Sequence, residues 1–457
     1  MKIAVLNGSP KGTVSVTVQY IRFLQKKLPD HDFKLLNISH DIQKYEKNLE
    51  TFRKVIDDVR QADGVIWAFP LYVFLVASQY KRFIEMIWEQ KVEDAFRDKY
   101  ACAFSTSVHF FDNTAHRYIR EICEDLGMKC TESFSADMDD LFIDQRRENF
   151  LKWAGDFLKA ITDKAPTGRF VAPVVPAHFI YKPGKPKRMV ETGDLKISVL
   201  ADMGDKESNT AQMVDQLSRI FNGGCRVYDV WDIDMRGGCL GCLQCAFDNK
   251  CFYKDGFVDF VKNELDGTDI MIFAGAVKDR FFSARLKMFW DRSFFRGHIP
   301  SHIDKQMGFI VSGPLAQLPN MQEIIQGYAE IQGTNLAGIV TDESGDSVQI
   351  DASLEDFAVR CVDYAQSGYI RPQTFLGVGG HKIFRDQIWS RLRFPFDADF
   401  KFYLEHNLFD FPQNDKRYLE FSEQMIAMIQ DPDMREAVRK AIKKEMLSGY
   451  KKVVEEK

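Results

Sequence analysis

The sequence predicts two α/β domains in tandem, each built on a parallel sheet, followed by a mainly helical C-terminal segment. Three observations carry that expectation. KIAVL at 2–6 reappears as KISVL at 196–200, an offset of 194. DGVIWA at 63–68 reappears as DIMIFA at 269–274, now at an offset of 206, which also carries Lys81 to Lys287, Phe83 to Phe289 and Glu85 to Asp291. The repeat is exhausted near residue 367, and the stretches FLGVGGHKIFRDQIW, FKFYLEHNLFDFPQ, SEQMIAMI and DMREAVRKAIKKEMLSGYKKVVEEK lead into helix. A repeat with strand, loop and helix in one order means two copies of one domain.

Residues 2–6 and 196–200 are short apolar runs with β-branched members that end in small or polar residues, as buried parallel strands do. SVT at 15–17 and SNT at 208–210 each open an amphipathic helix, over 17–28 and 210–221. Residues 65–69, 100–104 and 270–274 are further strands. Five of the fifteen prolines fall in 166–190, which reads as an extended linker lying over a surface. The resulting division is 1–165, a linker at 166–193, 194–367 and 368–457. The growth of the offset from 194 to 206 means that the second copy gained twelve residues between its first and third strands. A cysteine-rich loop lies in that interval, where the first copy has NISHDIQKYEKN, so the loop is expected to be an addition.

A chain of 457 residues is too long for one ordinary core. With 45% apolar and 28% charged residues the composition is that of a soluble globular protein. A net charge of −5 excludes general nucleic-acid binding and adhesion to anionic membranes. MKIAVLNGSPKG reaches glycine, proline and lysine after four apolar residues, and no uncharged apolar run spans a bilayer, so a cytoplasmic protein is expected. In a reducing compartment, closely spaced cysteines favour metal or redox work over disulfides. Cys102, Cys123, Cys130, Cys225 and Cys361 are scattered and read as core thiols.

In NGSPKGTVSVT a strand ends, Gly8 turns the chain, and Ser9, Ser15 and Thr17 offer hydroxyls before a helix whose free N–H groups suit a phosphate. Dinucleotide and P-loop fingerprints are absent, and the hydroxyl-rich loop fits a singly phosphorylated cofactor. The alternative is that Ser15 and Thr17 cap the helix. Pro70, Leu71 and Tyr72 follow the next strand at the position where open α/β sheets present ligands. Ser105, Thr106 and Ser107 follow strand 100–104 in the same way. Cys239, Cys242, Cys245 and Cys251 have the spacing C-x2-C-x2-C-x5-C, with glycines at 237, 238 and 241. Thiolates so spaced suit the corners of an iron-sulfur cubane; zinc more often uses two well-separated pairs, and packing or redox thiols are the metal-free alternative.

NGSP…S-x-T, then FPLY…K-x-F-x-E, then the Ser/Thr loop resembles the flavodoxin-like NAD(P)H-dependent FMN reductase superfamily, over most of 1–160 and more loosely over 195–345. The resemblance implies two flavodoxin-like, doubly wound domains. It implies FMN on Ser9, Pro10, Lys11, Ser15 and Thr17, on Pro70, Leu71 and Tyr72, and on Ser105 and Thr106. The second copy resembles iron-sulfur flavoproteins, which carry a compact cysteine motif between the second and third strands; this implies a 4Fe-4S cluster on the four cysteines. Ser208, Asn209 and Thr210 form its phosphate loop. At the positions of Pro70 and Tyr72 it has Ala276 and Lys278, so Lys278 either meets a phosphate or the reduced ring's N1 region, or the site is empty. Because related single-domain proteins pair over their flavins, the two copies are expected to form a pseudo-dimer within one chain.

His109, Asp112 and His116 lie in the third loop, where they are candidates either to protonate a substrate or to tie the loop to itself. GVGG at 377–380 lacks a nucleotide fingerprint, and Asp137, Asp139 and Asp140 read as a solvated turn. The functional expectation is an FMN-dependent oxidoreductase or electron carrier. Its donor is NAD(P)H or a ferredoxin, and its acceptor a quinone, a small organic molecule or a protein. The alternative is a scaffold or redox sensor without metal.

Overall fold

Six-residue β1 (Lys2–Asn7) is buried from its second residue onward, and its neighbours in the sheet are buried apolar strands like it. The computed structural model describes residues 1–176, 178–296, 298–394, 396–411 and 416–441. Along the first half the order is β1, α1 (Val16–Lys27), β2 (Asp32–Asn37), α2 (Ile38–Lys47), α3 (Leu49–Gln61), β3 (Gly64–Pro70), α4 (Ser78–Glu89), β4 (Tyr100–Ser107), α5 (Asp112–Asp125), β5 (Lys129–Cys130), β6 (Phe134–Asp137) and α6 (Asp144–Thr162). All pairings are parallel, in the order β2-β1-β3-β4-β5, with β6 also on β4. Strand alternation divides the side chains between two faces. Ile3, Val5, Ile66 and Ala68 pack with Tyr20 and Leu24 of α1 and Phe150 and Phe157 of α6, while Trp67 meets Tyr80 of α4 and Phe96.

The second half runs β7 (Ile197–Ala201), α7 (Asn209–Ile220), β8 (Cys225–Asp229), α8 (Cys245–Asp248), α9 (Phe257–Phe260), β9 (Ile270–Ala276), α10 (Ala284–Arg292), β10 (Gln306–Ser312), α11 (Pro319–Ile331), β11 (Asn335–Thr341) and α12 (Ser347–Ser367). Its sheet, β8-β7-β9-β10-β11, is parallel and repeats the strand order of the first. That order is the flavodoxin-like one. The cysteine loop differs from its expectation in one respect: it stands in the place of α2 rather than being added beside it. Between β2 and β3 the chain makes two helices, whereas 230–256 is irregular apart from the single turn of α8. Glycines at 237, 238 and 241 disfavour a helix there, and the closely spaced cysteines leave few large apolar side chains to form a buried stripe.

Among the described residues, 163–196 contain neither helix nor strand and lie along both halves. Phe170 and Val171 donate backbone N–H bonds to Glu124, and Tyr181 donates its own to Asn209 Oδ1 at 2.8 Å. The C-terminal part is helical: α13 (Phe375–Trp389), α14 (Asp397–Glu405) and α15 (Lys416–Met428). The GVGG stretch is in α13, where glycine serves close packing. A Cβ on Gly380 would stand 2.5 Å from Ile331 and 3.0 Å from Phe110 and Phe111. Residues Met1–Phe402 form one contact unit and Tyr403–Lys457 another. In the second, Tyr403 packs on Phe409, and the end of the expected terminal helix, 442–457, lies outside the described residues. No helix among the described residues is long and apolar enough to cross a membrane.

Candidate functional site

The loop after β1 is tied by its own side chains. Asn7 donates to the Gly12 carbonyl at 3.1 Å and accepts from the Ser9 N–H at 3.1 Å, and Lys11 N–H reaches Ser9 Oγ at 3.3 Å. Gly12 has φ +59, and a Cβ there would meet the His40 ring at 3.0 Å. Ser15 is the N-cap of α1 and accepts from Val18 N–H at 3.2 Å. It therefore does cap the helix, yet the N–H groups of Val16 and Thr17 in the first turn have no intrahelical acceptor. Thr17 Oγ1 lies 2.7 Å from Thr106 Oγ1, which joins the first loop to the third. Pro10, Ser105 and Thr106 are buried with them, and Pro70, Leu71 and Tyr72 follow at the same edge of the sheet, half-buried.

Residues 8–17 carry one cation, Lys11, and no carboxylate. These features fit a phosphate monoester: hydroxyls, free first-turn amides and a single ammonium. Beyond Tyr72 the chain turns through Val73 and Phe74, both at positive φ, and the Tyr72–Leu75 bridge closes the turn.

The third loop is bonded to itself. His109 Nδ1 is 2.8 Å from Asp112 Oδ2, Ser135 Oγ donates to the same oxygen at 2.5 Å, and Ser105 Oγ lies 2.7 Å from His116 Nε2. Burial works to raise Asp112, but the bonds from His109 and Ser135 hold it down at about 2. The Asp112 bond raises His109, while burial pushes His116 down to about 4, leaving it neutral at pH 7. Asp137 and Asp139 both pair with Arg391. Sequence reasoning did not anticipate Ser135 or Arg391, because each meets this loop only through the tertiary fold.

The second half places the same loops in other company. Ser208 caps α7 and accepts from Ala211 N–H at 3.2 Å. Asn209 donates to Phe179 O at 2.9 Å and to Asp342 Oδ2 at 2.7 Å, and accepts from Tyr181 N–H. Thr210 is buried, with no partner for its hydroxyl among the described residues. Asp202, Asp205 and Glu207 lie in this loop, and Asp342 also accepts from Ser312 and Gly313. Lys278 is drawn to the first half, 2.8 Å from Glu89 and 3.6 Å from Glu85.

Between the halves the contacts are reciprocal. Lys81 Nζ donates to Lys278 O at 2.9 Å, and Lys287 Nζ donates to Tyr72 O at 3.0 Å. Ala284 N–H donates to Glu85 Oε1 at 2.6 Å, and Ser78 N–H to Asp291 Oδ2 at 2.6 Å. Each pair is the other under the 206 offset, the signature of an isologous contact.

The cysteine loop lies against the first half's loops. A Cβ on Gly241 would fall on the Tyr72 hydroxyl and 3.1 Å from the Lys11 stem. Gln79 Nε2 donates to Cys239 O at 3.0 Å. Burial lowers Lys11, against the opposing effect of Cys239 and Cys242, and burial with the same two thiols raises Tyr72. All four cysteines line one cavity of about 20 Å³ with Tyr253, Arg292, Phe294 and Phe295. Arg292, held by Asp255 at 2.7 and 2.9 Å, lies 3.9 Å from Cys251 Sγ. Burial raises Cys239 and Cys245 to about 12. All nine cysteines are free. The donor set suits a cluster, but the cavity has room for about one water. Among the described residues no group of three or more His, Cys, Asp or Glu is arranged to hold a metal ion. As arranged, the loop does not fit a cluster.

Residues 1–137 match the family model of the NADPH-dependent FMN reductases. No curated protein matches the chain. Among solved structures, a flavoenzyme NAD(P)H:(acceptor) oxidoreductase from Paracoccus denitrificans is 17% identical, covering 35% of this chain and 97% of that one, at a TM-score of 0.29. An FMN-dependent NADH-azoreductase from Bacillus anthracis, in complex with FMN, is 12% identical over 36% of this chain and 100% of its own, at 0.25. At these scores the two likenesses add nothing to the family match. The matched segment contains every first-half loop described above, and the match supports an oxidoreductase.

Proposed function

We propose that the chain is an FMN-dependent oxidoreductase that holds one FMN on its first half. It takes electrons from NAD(P)H or a ferredoxin-like donor and delivers them to a quinone, a small organic molecule or a protein. The observation that carries the reading is the first-half edge itself. A hydroxyl-lined loop with free helix amides and no carboxylate meets the third loop through Thr17 and Thr106, within the segment that matches the reductase family.

FMN, when bound, supplies hydride and electron chemistry. The chain's residues do the holding. Ser9, Lys11, Ser15 and the Val16 and Thr17 amides receive the phosphate, while Pro70, Leu71, Tyr72, Ser105 and Thr106 border the ring. In the second half, Asn209 is engaged by Asp342 and the corresponding loop carries Asp202, Asp205 and Glu207, which supports that half as the partner of a pseudo-dimer rather than a second flavin site. The reciprocal 206-offset contacts support both the pseudo-dimer and an origin by duplication.

The four cysteines lie beside Lys11 and Tyr72, which supports a redox role next to the flavin. Their small cavity favours a second reading, redox-responsive thiols without metal, over a 4Fe-4S cluster. The test is anaerobic purification with flavin, iron and sulfide measured per chain. The proposal expects about one FMN. Thr17→Asp puts a carboxylate where the second half has several and should weaken FMN binding about a hundredfold. A colourless protein that cannot be reconstituted with FMN defeats the proposal, and iron with sulfide at cluster stoichiometry defeats the metal-free thiol reading.

A further inference from the structure

A second opening borders the first loop assigned to FMN at Pro10 and otherwise extends away from it. A cavity of about 530 Å³ is enclosed by α2 and α4 of the first half and by 231–240 and α10 of the second. That volume is in the range of small-molecule sites. Trp231 lines it and is 60% exposed, so its ring face is open to a ligand. The indole is held rather than loose. Its Nε1 donates to Asp202 at 2.9 Å, and the Arg285 guanidinium lies 5.2 Å from the ring centre. Arg285 is itself fixed by the carbonyls of Val230, Ile233 and Met235.

The polar lining is incompletely used. Ser39 is 2% exposed, lines the cavity, and has no partner for Oγ among the described residues. A buried hydroxyl without a partner is costly, so a ligand atom that meets it gains a hydrogen bond. The charges point to the ligand's sign. Glu46, Glu85 and Glu89 on the wall are already matched by Arg82 and Lys278. Arg236 reaches Asp234 only at 4.0 Å, and Arg285 is bonded to neutral carbonyls, so these two guanidiniums are the least engaged charges on the wall, with Asp202, Asp229 and Asp234 standing near Arg285.

We propose that this cleft binds a small planar aromatic molecule bearing an acidic group, its ring on Trp231, its acid toward Arg236, and a polar edge toward Ser39 Oγ. The site requires no flavin, and so stands or falls apart from the function proposed above.

The test is calorimetric titration of the full chain as purified with 2-naphthoate, using 2-naphthol as the neutral control. One saturable site per chain is expected, with naphthoate the tighter ligand. Trp231→Ala should weaken it about tenfold, and Ser39→Ala about threefold. Arg236→Ala, on the surface and harmless to folding, should erase the preference for the acid. The proposal is overturned if no saturable binding occurs, or if Trp231→Ala and Arg236→Ala both leave it unchanged. It is equally overturned if naphthol binds as tightly as naphthoate, or if FMN displaces naphthoate one for one.

Discussion

The two halves share a backbone and differ in what their loops face. Val73 and Phe74 have positive φ in the first half, and Asp279 and Arg280, at the 206 offset, have it in the second. The bridge Tyr72–Leu75 recurs as Lys278–Phe281. Yet Tyr72 lies beneath the cysteine loop, whereas Lys278 reaches across to Glu89 and Glu85. The loop after the first strand keeps its serine cap in both halves, but in the second its next residue, Asn209, is held by the linker and Asp342. Two halves of one strand order can thus keep the same turn geometry, which is local, while the chemistry at the edge changes with the charges that neighbouring segments bring.

The reciprocal ion pairs offer the largest test of that comparison. Lys287 and Asp291 are both fully buried and bonded to each other; burial lowers the lysine and raises the aspartate, and their attraction opposes both shifts. Asp291→Leu leaves an unpaired ammonium and should cost about 3–5 kcal/mol in urea unfolding, with Lys287→Met/Asp291→Leu costing less. Glu85→Leu should cost less than Asp291→Leu, because Lys81, its partner, is also 3.5 Å from Asp279. Equal losses would show that the two pairs are energetically interchangeable.

A smaller, pH-dependent difference is expected at Glu121, whose counterpart at the 206 offset is Gly327. Burial lifts its carboxyl to about 7 in the folded chain, against roughly 4.3 unfolded. The folded state therefore holds the proton more tightly. The stability this contributes is fully present below about pH 4 and is lost as pH rises through about 7. Glu121→Gln should match the parent at pH 4 and exceed it by about 3–4 kcal/mol at pH 8. The same difference at both values would refute the assignment.

The smallest expected effect separates the two serine caps. Ser15→Ala and Ser208→Ala should each cost about 1 kcal/mol of stability. Only Ser15→Ala should also weaken FMN binding. A loss of flavin affinity in Ser208→Ala would return the second half to consideration as a flavin site.

Much of the fold was legible because its signals are local. Apolar strands, a Ser-led helix start and the shifted repeat marked β1, β3, β4, β7 and β9 and the helices after β1 and β7. The first-half loop residues were legible for the same reason, since each follows a strand directly. The company of Asn209 and Lys278 was not, because Tyr181, Asp342 and Glu89 lie 28 or more residues away from them in the chain. The role of GVGG was hidden likewise, since its glycines answer to Phe110, Phe111 and Ile331.

By itself, the sequence determined parallel-strand α/β segments in both halves and a hydroxyl-rich, carboxylate-free loop after the first strand, and it led to the expectation of a phosphate loop in each half. Those properties depend on periodicity and on residues within a few positions of each other. Only the tertiary structure decided that the cysteine loop replaces α2 and closes on Lys11 and Tyr72. It alone decided that the buried Lys81–Glu85 and Lys287–Asp291 pairs, each within one helix, bond to backbone groups of the other half, and that the cleft at Trp231 exists. Each requires distant segments to share one low-dielectric space, where charge matching and close approach, not local propensity, select the arrangement.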